Sequence, residues 1–299
     1  MSRFTQLGDR MFALYGNGDY QGALDLVVAE RPHITEDDLP TVEFWRICLL
    51  ARVGREGDAV TAMSEVLDRG WWYGKEMLRS DSDLDTLHGH PEWEELVAEC
   101  GRRQAEAAPA AGLFMGRQTQ GDGTVVALHA AAGRDTHTRT TWEPVTRLGY
   151  DLYAPASSIS VTHDRTNWGS IDETDRDISA QVPLGDLTEI IFAGRSRGAV
   201  RAAQMATRYR ATVGVILVAW APPVDDCQGL SVPVYVISGD ADDQRFLDDI
   251  DAFVGYQRAL GIPIESDRVE GMGHRYPEGF AEHIATSISW IKANQRPHD

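Results

Sequence analysis

The sequence predicts an all-α region at the amino end and an α/β region, built on a parallel sheet, behind it. Three observations carry this. Residues 1–107 show apolar positions at helical spacing and no strand-like runs. From Gly123 to the end, short apolar runs alternate with helical stretches, which is the pattern of a parallel sheet covered on both faces. Between them "RRQAEAAPAAG" turns Ala-rich and contains Pro109, so residues 108–122 are expected to form a linker.

In the first region "RFTQLGDRMFALY" is helical and is broken by "NGD". "YQGALDLVVAER" resumes the pattern and Pro32 stops it. "TVEFWRICLLARVG" and "EGDAVTAMSEVLDRG" repeat the theme of helix, Gly-containing turn, helix, and Pro91 opens a last helix in "HPEWEELVAEC". Ala23 and Ala59 follow similar Gly-Asp contexts at an offset close to the tetratricopeptide period of about 34 residues. The segments resemble degenerate tetratricopeptide hairpins, with room for about two, which is too few for a long superhelical groove. A surface for a protein partner, or for self-association, is what that resemblance implies. Trp71, Trp72 and Tyr73 read as core or interface anchors.

In the second region six strands are expected, in "TVVALHAA", "GYDLYAP", "EIIFAG", "VGVILVAW", "VPVYVISG" and "PIESDRVEG". The middle runs are almost continuously apolar, as strands buried on both faces should be. Helices are expected in "TRTTWEPVTRLG", "IDETDRDISAQV", "RGAVRAAQMATRYR", "DQRFLDDIDAFVGYQRALG" and "EGFAEHIATSISWIKAN".

The formal net charge is −18, which argues against nucleic acid and anionic membrane surfaces as partners. Cys48, Cys100 and Cys227 are odd in number and widely spaced, so neither a disulfide framework nor a metal-ligand spacing is expected. His88 and His90 in "HGH" lack further clustered ligands, and no metal site is expected there. The opening residues lack the apolar core of a signal peptide, and no apolar run is long enough to cross a bilayer, so the expected location is cytoplasmic.

In open α/β sheets functional groups collect at the carboxyl ends of the strands. After "EIIFAG" stands Ser196; after "VPVYVISG" stand Asp240, Asp242 and Asp243; after "SDRVEGMG" stands His274. This is the chain order Ser, Asp, His. Gly194-x-Ser196-x-Gly198 lies on a strand–turn–helix. On these residues the region 123–299 resembles an α/β-hydrolase, of the lid-poor phospholipase and carboxylesterase kind. The resemblance implies a Ser196 nucleophile, a His274 base and an orienting carboxylate at Asp242, with Asp240, Asp243 and the more remote Asp225 as alternatives. It also places the oxyanion donors at the backbone N–H groups of Ala131 and Arg197, where "HAAAG" replaces the family's His-Gly. His129 there supports the loop and is not the base. No metal or organic cofactor is implied.

No large insertion separates "VILVAWAPP" from "VPVYV", so the cap common in this fold is missing. Tyr153, His163, Trp168 and Trp220 are candidate pocket walls for a small-molecule ester. Arg195 and Arg197 flank the nucleophile, and salt bridges to the abundant acidic residues are the expectation, ahead of attraction of an anionic substrate. The reading is a serine esterase. The alternatives are an inactive hydrolase-fold adaptor that binds a partner through its helices, and a peptidase or amidase on the same fold.

Overall fold

The computed structural model describes residues 3–107, 113–115 and 122–295, which divide into two compact units. The first comprises Met1–Ala108 together with Ser160–His163; the second comprises Pro109–Ile159 and Asp164–Asp299.

The first unit holds six α-helices: α1 (Arg3–Gly16), α2 (Tyr20–Glu30), α3 (Leu39–Arg52), α4 (Glu56–Asp68), α5 (Lys75–Ser80) and α6 (Pro91–Glu106). Asp19 caps α2 by accepting from the Gly22 N–H, and prolines open α3 and α6 in the first turn, where no helical N–H is lost. Leu7, Leu24, Val27, Ile47, Met63, Leu78 and Trp93 form one continuous core. Tyr73 is buried there with its hydroxyl donating to Pro40 O at 2.7 Å, and Trp72 is buried beside it. The four residues 160–163 join this unit through backbone pairing: Gly74 N–H donates to Val161 O at 2.7 Å and His163 N–H to Trp72 O at 3.2 Å. They include the short strand that becomes β4 below.

The second unit is a seven-stranded sheet with helices on both faces. Its elements are β1 (Leu113–Met115), β2 (Gly123–Leu128), α7 (Asp135–Trp142), β3 (Tyr150–Ala154), β5 (Arg165–Thr166), α8 (Ile171–Ser179), β6 (Ile190–Arg195), α9 (Arg197–Ala206), β7 (Thr212–Val218), β8 (Val234–Gly239), α10 (Gln244–Ala259), β9 (Ile264–Val269) and α11 (Phe280–Asn294); β4 (Ser160–Thr162) precedes β5 in the chain. The sheet order is β1-β3-β2-β6-β7-β8-β9, with β1 antiparallel and the six others parallel. Those six are the strands read from the sequence. β1 was not: three residues at the edge leave no periodic signature. It falls inside the expected linker, whose residues 108–112 and 116–121 lie outside the described ones.

Alternate side chains of each central strand serve opposite faces. Val126, Phe192, Val215, Leu217 and Val236 pack under α8, α9 and α10; Val125, Ile191, Ala193, Ile216 and Ile237 pack under α7 and α11. Both faces are dry, which is why the runs read as continuously apolar. From β2 the chain runs outward to β3, then returns to the other side of β2 as β6. The crossover direction reverses there, so the loops after β2 and β6 leave a crevice at the carboxyl edge of the sheet. Segment 219–233, between β7 and β8, holds one 3-10 turn, Val224–Cys227, and no cap domain.

Candidate active site

β6 ends in a sharp turn. Ser196 has φ 54° and ψ −123°, a conformation a non-glycine residue rarely adopts, and α9 starts at the next residue. Two glycines make the turn possible. A Cβ on Gly194 would stand 2.4 Å from the Gly198 carbonyl carbon, and one on Gly198 would stand 2.3 Å from Leu128 O and 2.4 Å from His129 O. Leu128 pairs in register with Gly194, so the loop after β2 is pressed against the start of α9. Ser196 N–H donates to Val218 O at 2.9 Å, tying the strained residue to β7.

His274 reaches the serine from the loop after β9. Its Nε2 lies 2.8 Å from Ser196 Oγ, and its Nδ1 lies 2.9 Å from Asp242 Oδ2. The Asp242 side chain is 1% exposed, and its other oxygen accepts from the Asp243 N–H at 2.8 Å. The neighbouring aspartates are engaged elsewhere. Asp240 accepts from Gly271 N–H at 2.7 Å, while Asp243 caps α10 by accepting from Arg245 N–H at 3.0 Å. Asp225 lies exposed in the 3-10 turn. Ala241 N–H to Met272 O, at 3.1 Å, stitches the aspartate-bearing loop to the histidine-bearing one.

Burial pushes the His274 pKa down, the Asp242 carboxylate pulls it back up, and the charges of Arg195 and Arg245 push it down again. The net direction is downward, which favours the neutral ring. His129 differs. It is buried, its Nδ1 lies 2.8 Å from Ala130 O and its Nε2 3.0 Å from Thr166 Oγ1, and burial lowers its pKa to about 4. It holds the loop and stands outside the Ser196–His274–Asp242 chain of bonds. Ala131 and Ala132 follow it in an exposed turn, and Ala132 has φ 47°. As the first residue of α9, Arg197 has an N–H that the helix itself leaves unsatisfied.

Two contacts of His274 escaped the sequence reading. Phe246, in the first turn of α10, stacks on the imidazole with centroids 4.1 Å apart. Arg195 Nη1 donates to His274 O at 3.0 Å, and its guanidinium lies 5.3 Å from the Tyr276 ring centroid. An aromatic residue opening the helix behind the acid loop is the only signal that could have pointed to Phe246.

The wall candidates scatter. Trp220 packs edge-on to Phe246 at 5.2 Å and donates to Asp249 at 2.9 Å, so it stands one ring away from His274. Trp168 is buried, stacked on His129 at 4.5 Å with its indole N–H donating to His129 O at 2.9 Å, which makes it a prop for the loop and not a wall. Tyr153 is half-buried on β3 with its ring 4.5 Å from that of Phe114. His163 belongs to the first unit, where it stacks on Trp71 at 5.9 Å. The salt bridges expected of Arg195 and Arg197 are absent among the described residues: Arg195 is held by a carbonyl and a ring, and no carboxylate stands within 4 Å of either.

Solved structures similar to this chain share its fold. One is the carboxylesterase of Bacillus cereus, at TM-score 0.50 and 14% identity, covering 64% of this chain and 98% of that one. The second unit has the α/β-hydrolase fold. An uncharacterized protein from Bacillus cereus ATCC 10987 is similar over nearly the whole length, with TM-score 0.52, 23% identity, and coverage of 96% of this chain and 99% of that one. Residues 3–108 match the family model described as the N-terminal domain of A/B hydrolase-like proteins, so the helical region has a counterpart of its own. No curated protein matches the chain. No helix among the described residues is long and apolar enough to cross a membrane.

Proposed function

We propose that the protein is a serine hydrolase of carboxylic esters, with Ser196 as nucleophile, His274 as general base and then acid, and Asp242 as the carboxylate that orients the imidazole. The observation that carries this reading is the continuous hydrogen-bond chain from Ser196 Oγ through His274 to the buried Asp242, at 2.8 and 2.9 Å. The similarity in fold to the Bacillus cereus carboxylesterase agrees with it.

In the forward step Ser196 Oγ attacks the ester carbonyl carbon while its proton passes to His274 Nε2. Asp242 accepts from the Nδ1–H and stabilises the imidazolium that forms. The oxyanion lies toward the N-terminal end of α9, where the Arg197 N–H and the helix dipole meet developing negative charge. The Ala131 N–H is the second donor. The tetrahedral intermediate collapses, His274 returns the proton to the departing alcohol, and water, activated by the same histidine, releases the acid. With the open segment between β7 and β8 in place of a cap, short or exposed acyl groups are the expected substrates.

The test is a fluorophosphonate probe followed by peptide mass spectrometry, run beside an acyl-length series of p-nitrophenyl esters and matched amides. Labelling of Ser196 and ester turnover that vanishes in Ser196→Ala are expected. Unlabelled Ser196 with no turnover would support the inactive adaptor, and faster amide cleavage the peptidase.

A further inference from the structure

Three arginines flank the nucleophile along the chain. Arg195 precedes it, Arg197 follows it, and Arg201 lies one helical turn further on the same face of α9. None has a carboxylate within 4 Å among the described residues. Arg201 is held by the Gly169 carbonyl and by Gln204, while its Nε is buried without a partner. Arg197 is half-buried and makes neither an ion pair nor a side-chain hydrogen bond among the described residues.

This arrangement is unfavourable on its own. A cation in the first turn of a helix opposes the helix dipole, and like charges four residues apart repel. Burial and then the charge of Arg197 push the Arg201 pKa down, and the carboxylates of Asp226 and Glu173, beyond ion-pair distance, offset this only in part. The chain carries 46 acidic residues against 28 Lys and Arg, so partners for arginines were plentiful in composition. An overall charge of −18 also repels anions at a distance, so an anionic ligand requires a local cationic focus to bind.

We infer that the site selects esters bearing an anionic group a few bonds from the scissile carbonyl, with Arg197 as the specificity-determining residue and Arg201 behind it. The inference rests on the ester-hydrolase reading. Arg201 bonds the loop at Gly169, next to the Trp168 that props His129, and Arg197 stands one turn before it on α9, immediately after Ser196. A carboxylate there takes up the repulsion between the two arginines and gains a charge-assisted bond.

The experiment compares kcat/KM for p-nitrophenyl butyrate with that for the mono-p-nitrophenyl esters of glutarate and adipate, in the wild type and in R197Q, R197K and R197E. A further arm, 3-carboxy-4-nitrophenyl butyrate, carries the anion on the leaving group and distinguishes the acyl from the alcohol side. The wild type is expected to favour one anionic series by about tenfold or more, the value of one charge-assisted bond. R197Q brings that ratio toward one, R197K keeps most of it, and R197E transfers the preference to the p-nitrophenyl ester of 4-aminobutyrate. Because the readout is a ratio, a general loss of rate cancels. A wild-type ratio near one for both series, or a ratio that R197Q leaves intact, overturns the inference. If the wild type cleaves none of these esters, the ester-hydrolase reading fails by itself. Calorimetric binding of monoethyl glutarate to Ser196→Ala then decides the anion site: binding that R197Q abolishes supports it, and no binding overturns it.

Discussion

The two units differ in where they tolerate an unfavourable backbone or an uncompensated charge. In the helical unit the left-handed residues are all glycines at turns: Gly18, Gly54, Gly70 and Gly89. In the α/β unit Ala132, Ser196 and Ala219 also have positive φ, and each stands just past the carboxyl end of β2, β6 or β7. Arginines pair with carboxylates in both units, as Arg46 does with Glu43 and Glu65 and Arg208 with Asp172 and Asp175, but Arg195, Arg197 and Arg201, next to Ser196 in the chain, have no carboxylate within 4 Å among the described residues. A backbone and charge pattern optimised only for stability would look like the first unit throughout. The local cost in the second collects where the strand ends converge, which is what a reactive site requires.

The largest test of this contrast is Ser196→Ala. Ester turnover should fall by about 10⁴-fold or more, while the melting temperature holds or rises, because the hydroxyl serves chemistry and not folding. Retained turnover would break the comparison. Next, Gly198→Ala should cost about 3 kcal/mol in denaturant unfolding, since its Cβ has two carbonyl oxygens in its way.

His129 gives a pH-dependent version. Its folded pKa, about 4, lies below the unfolded value of about 6.5, so between these values the unfolded chain binds the extra proton. Stability is therefore lost as pH falls through that window, by about 2 kcal/mol from pH 7 to pH 5 for this one group. Chemical denaturation of His129→Gln at both pH values should show a correspondingly smaller drop than the wild type.

On the helical side Gly57→Ala should stabilise by about 0.5–1 kcal/mol, because nothing lies within 4 Å of the added Cβ in α4. The smallest effect is kinetic. His274 must be neutral to accept the serine proton, so its lowered pKa puts the acid limb of kcat/KM below 6.5. Removing a cation that lowers it, in Arg245→Gln, should move that limb upward by a few tenths of a pH unit. The shift should shrink in high salt, since Arg245 is 73% exposed.

Legibility followed physical periodicity. The central strands β6, β7 and β8 could be read because both of their faces are dry, so nearly every residue reports burial, while the half-exposed β3 and β9 are legible from their place in the strand–helix alternation. Ser196, Asp242 and His274 could be picked because glycine spacing and strand-end position are local features, and the structure stands them within hydrogen-bonding distance. The family resemblance prefers Asp242 over Asp240 and Asp243, and only three dimensions give the physical reason: those two aspartates accept from the Gly271 and Arg245 N–H groups, away from His274. Phe246 on His274, Trp168 on His129 and Arg195 on the His274 carbonyl have no signature in sequence, because ring stacking and side chain-to-carbonyl bonds join residues far apart in the chain. The expected salt bridges of Arg195 and Arg197 failed for the same reason: composition counts partners without placing them.

The residues 160–163 that complete the helical unit are encoded just past the middle of the chain, more than 50 residues after the helices. During synthesis the helices emerge first, yet the Gly74 N–H and the Trp72 carbonyl wait for partners until β2 and β3 have also been made. The two units are thus interleaved along the chain. A cut after residue 108 leaves the helical unit without residues 160–163, so an exchange of that unit between proteins has to carry this later insertion with it.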